Sequence, residues 1–403
     1  MSFISYEASQ NMLYLLHVGA LRYENVFLSD ALGRVLAEDI TASVSSPEFP
    51  TAAMDGYAII ANDQEEGRIR ILGDNPAGSD ESRVVTSGFC IKTFTGSMMP
   101  EGTDTLIQIE NVTVEGDDIV INEKVKSSAN VRQIGESYNA GDVLIKKGTK
   151  ISFAEIGVMA GLNHVMVKVA KKPCVAILST GSEILDLGQD AATHTQIRSS
   201  NNYTIEAMSK MAGAEVVQLG VVKDDKVSIM ESFENALSCA DIVISTGGVS
   251  VGDYDFVKEI VPRLGAEVVY KGVNIKPGQH IMLAQRDNKF ILALPGFAYS
   301  STVTALLYGV PLIYRFLGMN PDLCMVEAKL SEGFRKKSRK TEFTACNVTV
   351  EDGGYRVNFK DKKDGTSAIL TNLLSNSALM VTGEEDGDLQ EGTLVHVILL
   401  DRL

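Results

Sequence analysis

Between Lys172 and about Leu317 the chain alternates short apolar runs with amphipathic stretches. The runs cover 175–178, 215–222, 242–245, 266–270 and 290–294, and helical spacing covers 202–212 and 226–239. Continuous apolar strands separated by helices predict a largely parallel sheet covered on both faces. Upstream, an amphipathic stretch over 6–18 predicts a helix. Ser29 reads as an N-cap for a second helix over 30–37. From about 40 to 139 the pattern changes to short β-branched runs broken by Gly, Pro and Asp, as at 69–72, 105–109 and 112–121, which predicts a small β-module. A turn-and-strand unit at 141–148 and a short helix at 153–161 follow. The tail from 320 to 403 returns to β-type segments with glycine-containing turns and reads as a small β-domain of its own.

Three glycine-containing loops stand at the ends of the predicted strands: Ser179-Thr180-Gly181-Ser182-Glu183, Thr246 to Gly252, and Leu294-Pro295-Gly296. In a doubly wound sheet all three open on one edge, where ligands of such sheets bind. The middle loop, Thr246-Gly247-Gly248-Val249-Ser250-Val251-Gly252, is the most informative. Glycines there let backbone N–H groups approach an anion, and the following helix start favours the same charge. Asp253 and Asp255 beside it would repel a bare phosphate, so the stretch points to a phosphate-bearing ligand held with a cation. A tight turn flanked by solvated acids is the competing reading. Asp224, Asp253, Asp255 and Glu183 form a candidate set of hard oxygen ligands for Mg2+. Asp224 and Asp225 read equally well as helix N-caps. Lys276 in Lys276-Pro277-Gly278 is a candidate partner for a phosphate or oxyanion, or a solvated lysine. The basic run Arg335, Lys336, Lys337, Arg339 and Lys340 reads as a solvated face or as one meeting an anionic ligand across a subunit boundary.

Bulk properties narrow the classes. A length of 403 residues implies two to four domains, and 45% hydrophobic with 22% charged residues is ordinary for a globular protein. The net charge of −15 argues against a nucleic-acid or acidic-membrane binder but leaves anionic small ligands open. The first residues show no signal peptide pattern, and no apolar run approaches the roughly 20 residues of a membrane span. Cysteines 90, 174, 239, 324 and 346 are scattered without CxxC spacing, which fits reduced thiols in the cytoplasm. The five histidines form no HxH or HxxxH cluster, so any metal is expected on oxygen ligands. No histidine stands at a triad spacing from Ser179, Ser182 or Ser250, which disfavours serine nucleophile chemistry.

Together these segments resemble the MoeA family, molybdopterin molybdenumtransferases related to the gephyrin E domain, over nearly the whole chain. The similarity is carried by Ala31-Leu32-Gly33-Arg34-Val35-Leu36-Ala37-Glu38-Asp39, by Ala53-Met54-Asp55-Gly56-Tyr57-Ala58, and by Thr95-Gly96 with Pro100, Gly102 and Asp104. The loop from Thr246 to Asp255, Lys276-Pro277-Gly278 and Leu294-Pro295-Gly296 complete it. The resemblance implies a multidomain α/β plus β fold in four parts. These are a discontinuous domain I (1–42 and 140–171), an inserted β-domain II (43–139), a three-layer MogA-like α/β domain III (172–318) and a β-barrel-like domain IV (319–403). It also implies a homodimer whose site lies between domain III of one subunit and the β-module of the other. The implied reaction inserts molybdenum from molybdate into adenylylated molybdopterin, with Mg2+ and release of AMP. A preceding adenylyltransferase and molybdoenzyme acceptors are the implied protein partners.

On that resemblance the catalytic positions are Asp55, Thr95, Glu183, Asp224 and Asp255, with Glu183, Asp224 and Asp255 holding the metal. Substrate would meet Arg132, Ser179, Thr180, Gly181, Thr246, Gly247, Gly248, Ser250, Gly252, Lys276, Pro295 and Gly296. The chain departs from the family pattern at Ser137 in RxxGED, Ser182 in STGDE, Gln279-His280 in KPGKP and Phe297-Ala298 in LPGNP. Those departures motivate an alternative, a weakened paralogue that binds or delivers molybdopterin without inserting metal. A CinA-like nucleotide-pyrophosphate activity would use the α/β part alone, and the AMDGYA segment and β-tail speak against it.

Overall fold

The computed structural model describes residues 3–79, 83–249, 256–351, 353–363, 367–375 and 377–401. The chain divides into two compact units. One comprises Met1–Ala37, Gly148–Ser152 and Met166–Leu403, and the other Glu38–Lys147 and Phe153–Val165.

The smaller unit is built on a six-stranded sheet ordered Thr105–Gln108, Gly56–Ile59, Phe89–Thr93, Arg68–Asn75, Asp118–Ile121 and Val112–Glu115. Its pairs are antiparallel except Arg68–Asn75 with Phe89–Thr93. Strand period two explains the core: Tyr57 and Ile59 join Ile69, Cys90, Ile107 and Ile119, while Ala58 faces Ala52, Met99 and Leu106. The 112–121 run, expected as β structure, folds as a hairpin, and the helix expected at 153–161 is Phe153–Gly161.

In the larger unit, helix Tyr6–Leu15 begins where the Ser5 side chain accepts from the Ala8 amide. The second helix expected over 30–37 does not form. Leu28–Asp30 is a single 3-10 turn, Gly33 takes a φ of +75°, and Val35 and Leu36 bridge to Lys150 and Val169. A glycine in the left-handed region stops helical propagation there. Just before it, Tyr23–Phe27 is a strand paired antiparallel with Met166–Ala170.

The α/β sheet runs Glu215–Val222, Cys174–Thr180, Ile242–Thr246, Lys289–Leu294, Met282–Arg286 and Glu267–Lys271. The first four strands are parallel and Met282–Arg286 runs antiparallel to both its neighbours, so the expected parallel character holds for the part that carries the glycine loops. Ile177, Ile244 and Leu292 face one core with Ile205, Leu306, Tyr308 and Leu312. Ala176, Val243 and Ile291 face the other, against Ile229, Phe233 and Leu237 of helix Lys226–Cys239 and Val257, Ile260 and Val261 of helix Val257–Arg263. The result is three layers.

The C-terminal strands Met325–Leu330, Thr341–Glu351, Gly354–Asn358, Ser377–Thr382 and Leu394–Leu399 close into a five-stranded barrel, because Thr341–Glu351 pairs with both Gly354–Asn358 and Ser377–Thr382. Its residues Phe343, Leu379 and Ile398 share a core with the α/β sheet. Strand Ile275–Lys276 adds to the barrel, not to the α/β sheet, by pairing with Thr341 and Glu342. Among the described residues no helix is long and apolar enough to cross a membrane.

Two glycines give opposite expectations. A Cβ on Gly56 would fall 2.2 Å from the Ile107 carbonyl oxygen, whereas one on the exposed helical Gly157 meets nothing within 4 Å. Gly56→Ala should therefore destabilise the protein by about 1–3 kcal/mol, and Gly157→Ala should stabilise it by about 0.4–1 kcal/mol. Urea unfolding curves of the two variants check both signs.

Candidate functional site

The carboxyl ends of Cys174–Thr180, Ile242–Thr246 and Lys289–Leu294 stand side by side, in register from Val175, Ile242 and Phe290 onward. The three glycine loops therefore leave the sheet at one edge, as the sequence predicts. Backbone geometry there is tight. Gly247 has a φ of +90°, and a Cβ on it would lie 2.7 Å from the Thr180 carbonyl oxygen. Gly248 has a φ of +69°, and its Cβ would lie 2.7 Å from Val257 Cγ2. Only glycine fits such positions without moving the strand end. The Gly247 amide donates to the Leu294 carbonyl at 3.0 Å, which ties the second loop to the third.

Polar side chains lock this edge. Ser179 Oγ lies 2.5 Å from Asn202 Oδ1 and 2.8 Å from Thr246 Oγ1, all three residues being buried. Ser179 and Thr246, expected to meet substrate, thus spend their hydroxyls on each other and on Asn202. Asn201 Nδ2 donates to the Gly296 carbonyl at 2.7 Å. Neither asparagine stood out in the sequence; the polar run Ser199-Ser200-Asn201-Asn202 at the start of helix Asn201–Met211 was the available signal. Thr180 Oγ1 is buried and makes no hydrogen bond within the described protein, and it lies within van der Waals reach of the Gly247–Gly248 turn.

The paired aspartates divide their work. Asp225 is the N-cap of helix Lys226–Cys239, accepting from the Ser228 amide at 2.8 Å. Asp224 instead accepts from the Ser182 amide at 2.9 Å, which fixes it at the loop that carries Glu183. The Glu183 carboxylate folds back over the α-carbon of Gly181. Among the described residues no three His, Cys, Asp or Glu side chains converge as a metal site. Two carboxylates at one strand edge nevertheless suit Mg2+, which commonly takes one or two protein carboxylates and fills its shell with water and substrate oxygens. Ser250, Gly252, Asp253 and Asp255 lie outside the described residues.

Lys276 sits on its own short strand beside the barrel, its Nζ 3.3 Å from Glu342 Oε1. In the smaller unit Asp55 accepts from both the Thr95 amide and the Thr95 hydroxyl, each at 2.8 Å. These two bonds, the amide first, hold the exposed Asp55 carboxyl below the usual carboxylate range. Arg132 in the same unit pairs with Glu136, its Nε 3.1 Å from Oε1.

The chain thus joins a three-layer α/β domain with a glycine cradle at one strand edge to a closed barrel after it and a β-module before it. Residues 4–162 match the MoeA N-terminal region (domain I and II), and residues 176–315 match a probable molybdopterin binding domain. The chain is 31% identical over 386 residues to a molybdopterin molybdenumtransferase of Staphylococcus epidermidis, covering 94% of this chain and 91% of that one. It is 32% identical over 369 residues to one of a Nostoc species, covering 89% and 84%. The crystal structure of a molybdopterin biosynthesis moeA protein from Pyrococcus horikoshii superposes with a TM-score of 0.84 at 27% identity, over 99% of this chain and 100% of that one. The chain belongs to the MoeA family of molybdopterin molybdenumtransferases, and it is a transferase.

The Asp55–Thr95 geometry carries a pH expectation. A carboxyl lowered in the folded state contributes stability above the ordinary carboxylate range, and that contribution is lost as pH falls through the lowered value. Thr95→Val keeps the amide bond and removes the hydroxyl bond. In a carboxyl-carbon NMR titration, the Asp55 midpoint should rise from its lowered value toward the ordinary one without reaching it.

Proposed function

We propose that this protein inserts molybdenum from molybdate into adenylylated molybdopterin, with Mg2+-dependent release of AMP. The observation that supports this reading best is the single strand edge where three glycine loops and Asp224 meet, in a chain matched over most of its length by molybdopterin molybdenumtransferases. Backbone N–H groups around Gly247 and Gly248 offer donors to a phosphate, and no Cβ keeps the ligand away. Lys276 and Arg132 offer charge to the oxyanions, and the substrate's own dithiolene sulfurs capture the metal. Mg2+ held at Asp224 and Glu183, with Asp255 in the same proposal, would polarise the phosphoanhydride that AMP leaves. Asp55, kept ionised by Thr95, presents a fixed carboxylate beside the reacting phosphates.

The remaining parts of this reading follow the same resemblance. Two copies complete the site, Asp55, Thr95 and Arg132 coming from one and the glycine cradle from the other. The four-part division at 1–42 with 140–171, 43–139, 172–318 and 319–403 serves that exchange. The protein works in the cytoplasm between an adenylyltransferase and the molybdoenzymes that accept the cofactor.

The test is an assay of purified protein with adenylylated molybdopterin, molybdate and Mg2+. Release of AMP coupled to active cofactor is expected; tight retention of the pterin without AMP release would replace the enzyme by a carrier. Asp55→Ala and Asp224→Ala should each lower AMP release by at least ~10²-fold, and unchanged rates would remove both from the site. If the site is shared, mixing the two inactive variants should restore about half the wild-type rate per hybrid dimer, because one of its two sites is then intact.

A further inference from the structure

Phe297 is the aromatic residue of the third glycine loop, and it is 65% exposed. A single exposed apolar residue is ordinary on a protein surface. What sets this one apart is how firmly its backbone is held. Before it, the Leu294 carbonyl accepts from the Gly247 amide at 3.0 Å, and the Gly296 carbonyl accepts from Asn201 Nδ2 at 2.7 Å. After it, helix Ala298–Thr304 begins, and the Phe297 carbonyl accepts from the Ser301 amide at 2.8 Å. A Cβ on Gly296 would lie 3.7 Å from the Gly247 α-carbon, so the Phe297 ring is rooted one residue from the glycine cradle.

Phe297 is also the N-cap of that helix and makes no side-chain capping bond. A short polar N-cap side chain accepts from an amide two or three residues on. The asparagine of the LPGNP pattern stands at this position, and phenylalanine has no acceptor to offer. The cap comes instead from outside the loop. The Ser300 amide, three residues on, donates to the Ser367 carbonyl at 3.1 Å. Ser367 lies between strands Gly354–Asn358 and Ser377–Thr382, so the barrel caps the helix that follows the third loop. Position 297 is thereby released from capping. By contrast Tyr203, two residues beyond Asn201, is turned to Asp186, to which its hydroxyl donates at 2.6 Å.

We propose that Phe297 is a stacking platform for a planar nitrogen heterocycle attached to the phosphate at the glycine cradle, and so a specificity-determining residue of this chain. Offset stacking takes apolar area of both rings out of water and adds the attraction between their quadrupoles. A rigid loop suits this role, because little ordering remains to oppose binding. A free oxyanion gains nothing from such a ring. The identity of the heterocycle rests on the function proposed above, whose substrate carries two candidates, adenine and the pterin.

Calorimetric titration of the full-length protein with AMP, with ribose 5-phosphate and with a phosphorylated pterin tests this. Phe297→Ala should weaken binding of the stacked ligand about tenfold, the scale of one base–aromatic stack, and leave ribose 5-phosphate, which has no heteroaromatic ring, unchanged. A loss for AMP assigns the platform to adenine, and a loss for the pterin assigns it to the pterin. Phe297→Trp should retain or raise the affinity. Phe297→Asn should behave as Phe297→Ala, because Ser367 already takes the amide that the asparagine would cap. Equal losses for AMP and ribose 5-phosphate would reduce Phe297 to a support of the loop and overturn the proposal. Unchanged affinities in Phe297→Ala, or a wild-type protein that binds none of the three, would do the same. So would a Phe297→Ala change in sedimentation with affinities intact, which would give the ring to a contact between subunits. If ring binding depends on Phe297 while AMP release is absent, the proposed function fails and the platform stands.

Discussion

The parallel register of three strands is the constraint on which the rest depends. Val175, Ile242 and Phe290 begin the shared ladder, and Ser179, Thr246 and Leu294 end it. Apolar burial drives these strands together, at about 1.5–3 kcal/mol for each large side chain removed from water, but burial alone does not choose the register. Both faces of the sheet are covered, so a slip of one residue would exchange two apolar faces and expose little. Two features do choose. One is size: Ala176, Ala284 and Ala293 make room for the helices on one face, whereas Ile177, Ile244 and Leu292 fill the other. The second is the buried contact of Ser179 with Thr246 and Asn202, which a slipped ladder would leave unpaired inside the protein. The hydrogen bonds that hold the glycine loops level with one another are thus the ones that define the sheet.

That coupling explains what the sequence disclosed and what it hid. Continuous apolar runs are legible because strands buried on both faces need them, and helix Lys226–Cys239 is legible from its spacing. The segment 30–37 misled because Leu32, Val35 and Leu36 match helical spacing, while Gly33 at a positive φ and the bridges of Val35 and Leu36 belong to extended chain. Met282–Arg286 joins the sheet antiparallel through a short turn at Asp287, a pairing that no local pattern specifies. Lys276 lies on a short strand that pairs with the barrel and not with the α/β sheet. Pairing between segments some 65 residues apart is set by tertiary packing, and no residue near Lys276 announces it. Of the candidate site residues, the glycines and Asp224 had their places at strand ends legible in the sequence. That the hydroxyls of Ser179 and Thr246 bond to each other and to Asn202 was not legible, because a sequence does not say which way a buried hydroxyl turns.

The serine departures have a physical reading in the same terms. At position 182 the structure uses the main-chain amide, which donates to Asp224, and at position 137 the amide donates to the Ser46 carbonyl at 2.8 Å. Any residue except proline supplies that donor. Replacing an acid by serine at both positions therefore keeps these scaffold contacts and changes mainly charge. Two fewer carboxylates ease the approach of a polyanionic substrate to a protein of net charge −15. They also leave fewer oxygens for the divalent cation proposed at Asp224 and Glu183. The lysine lost at Gln279 works in the opposite direction, and the Lys340 ammonium held on that glutamine returns one positive charge to the turn. The changed positions thus act mainly through charge: two acids are absent at positions 137 and 182, and the lysine absent at position 279 has the Lys340 ammonium beside it.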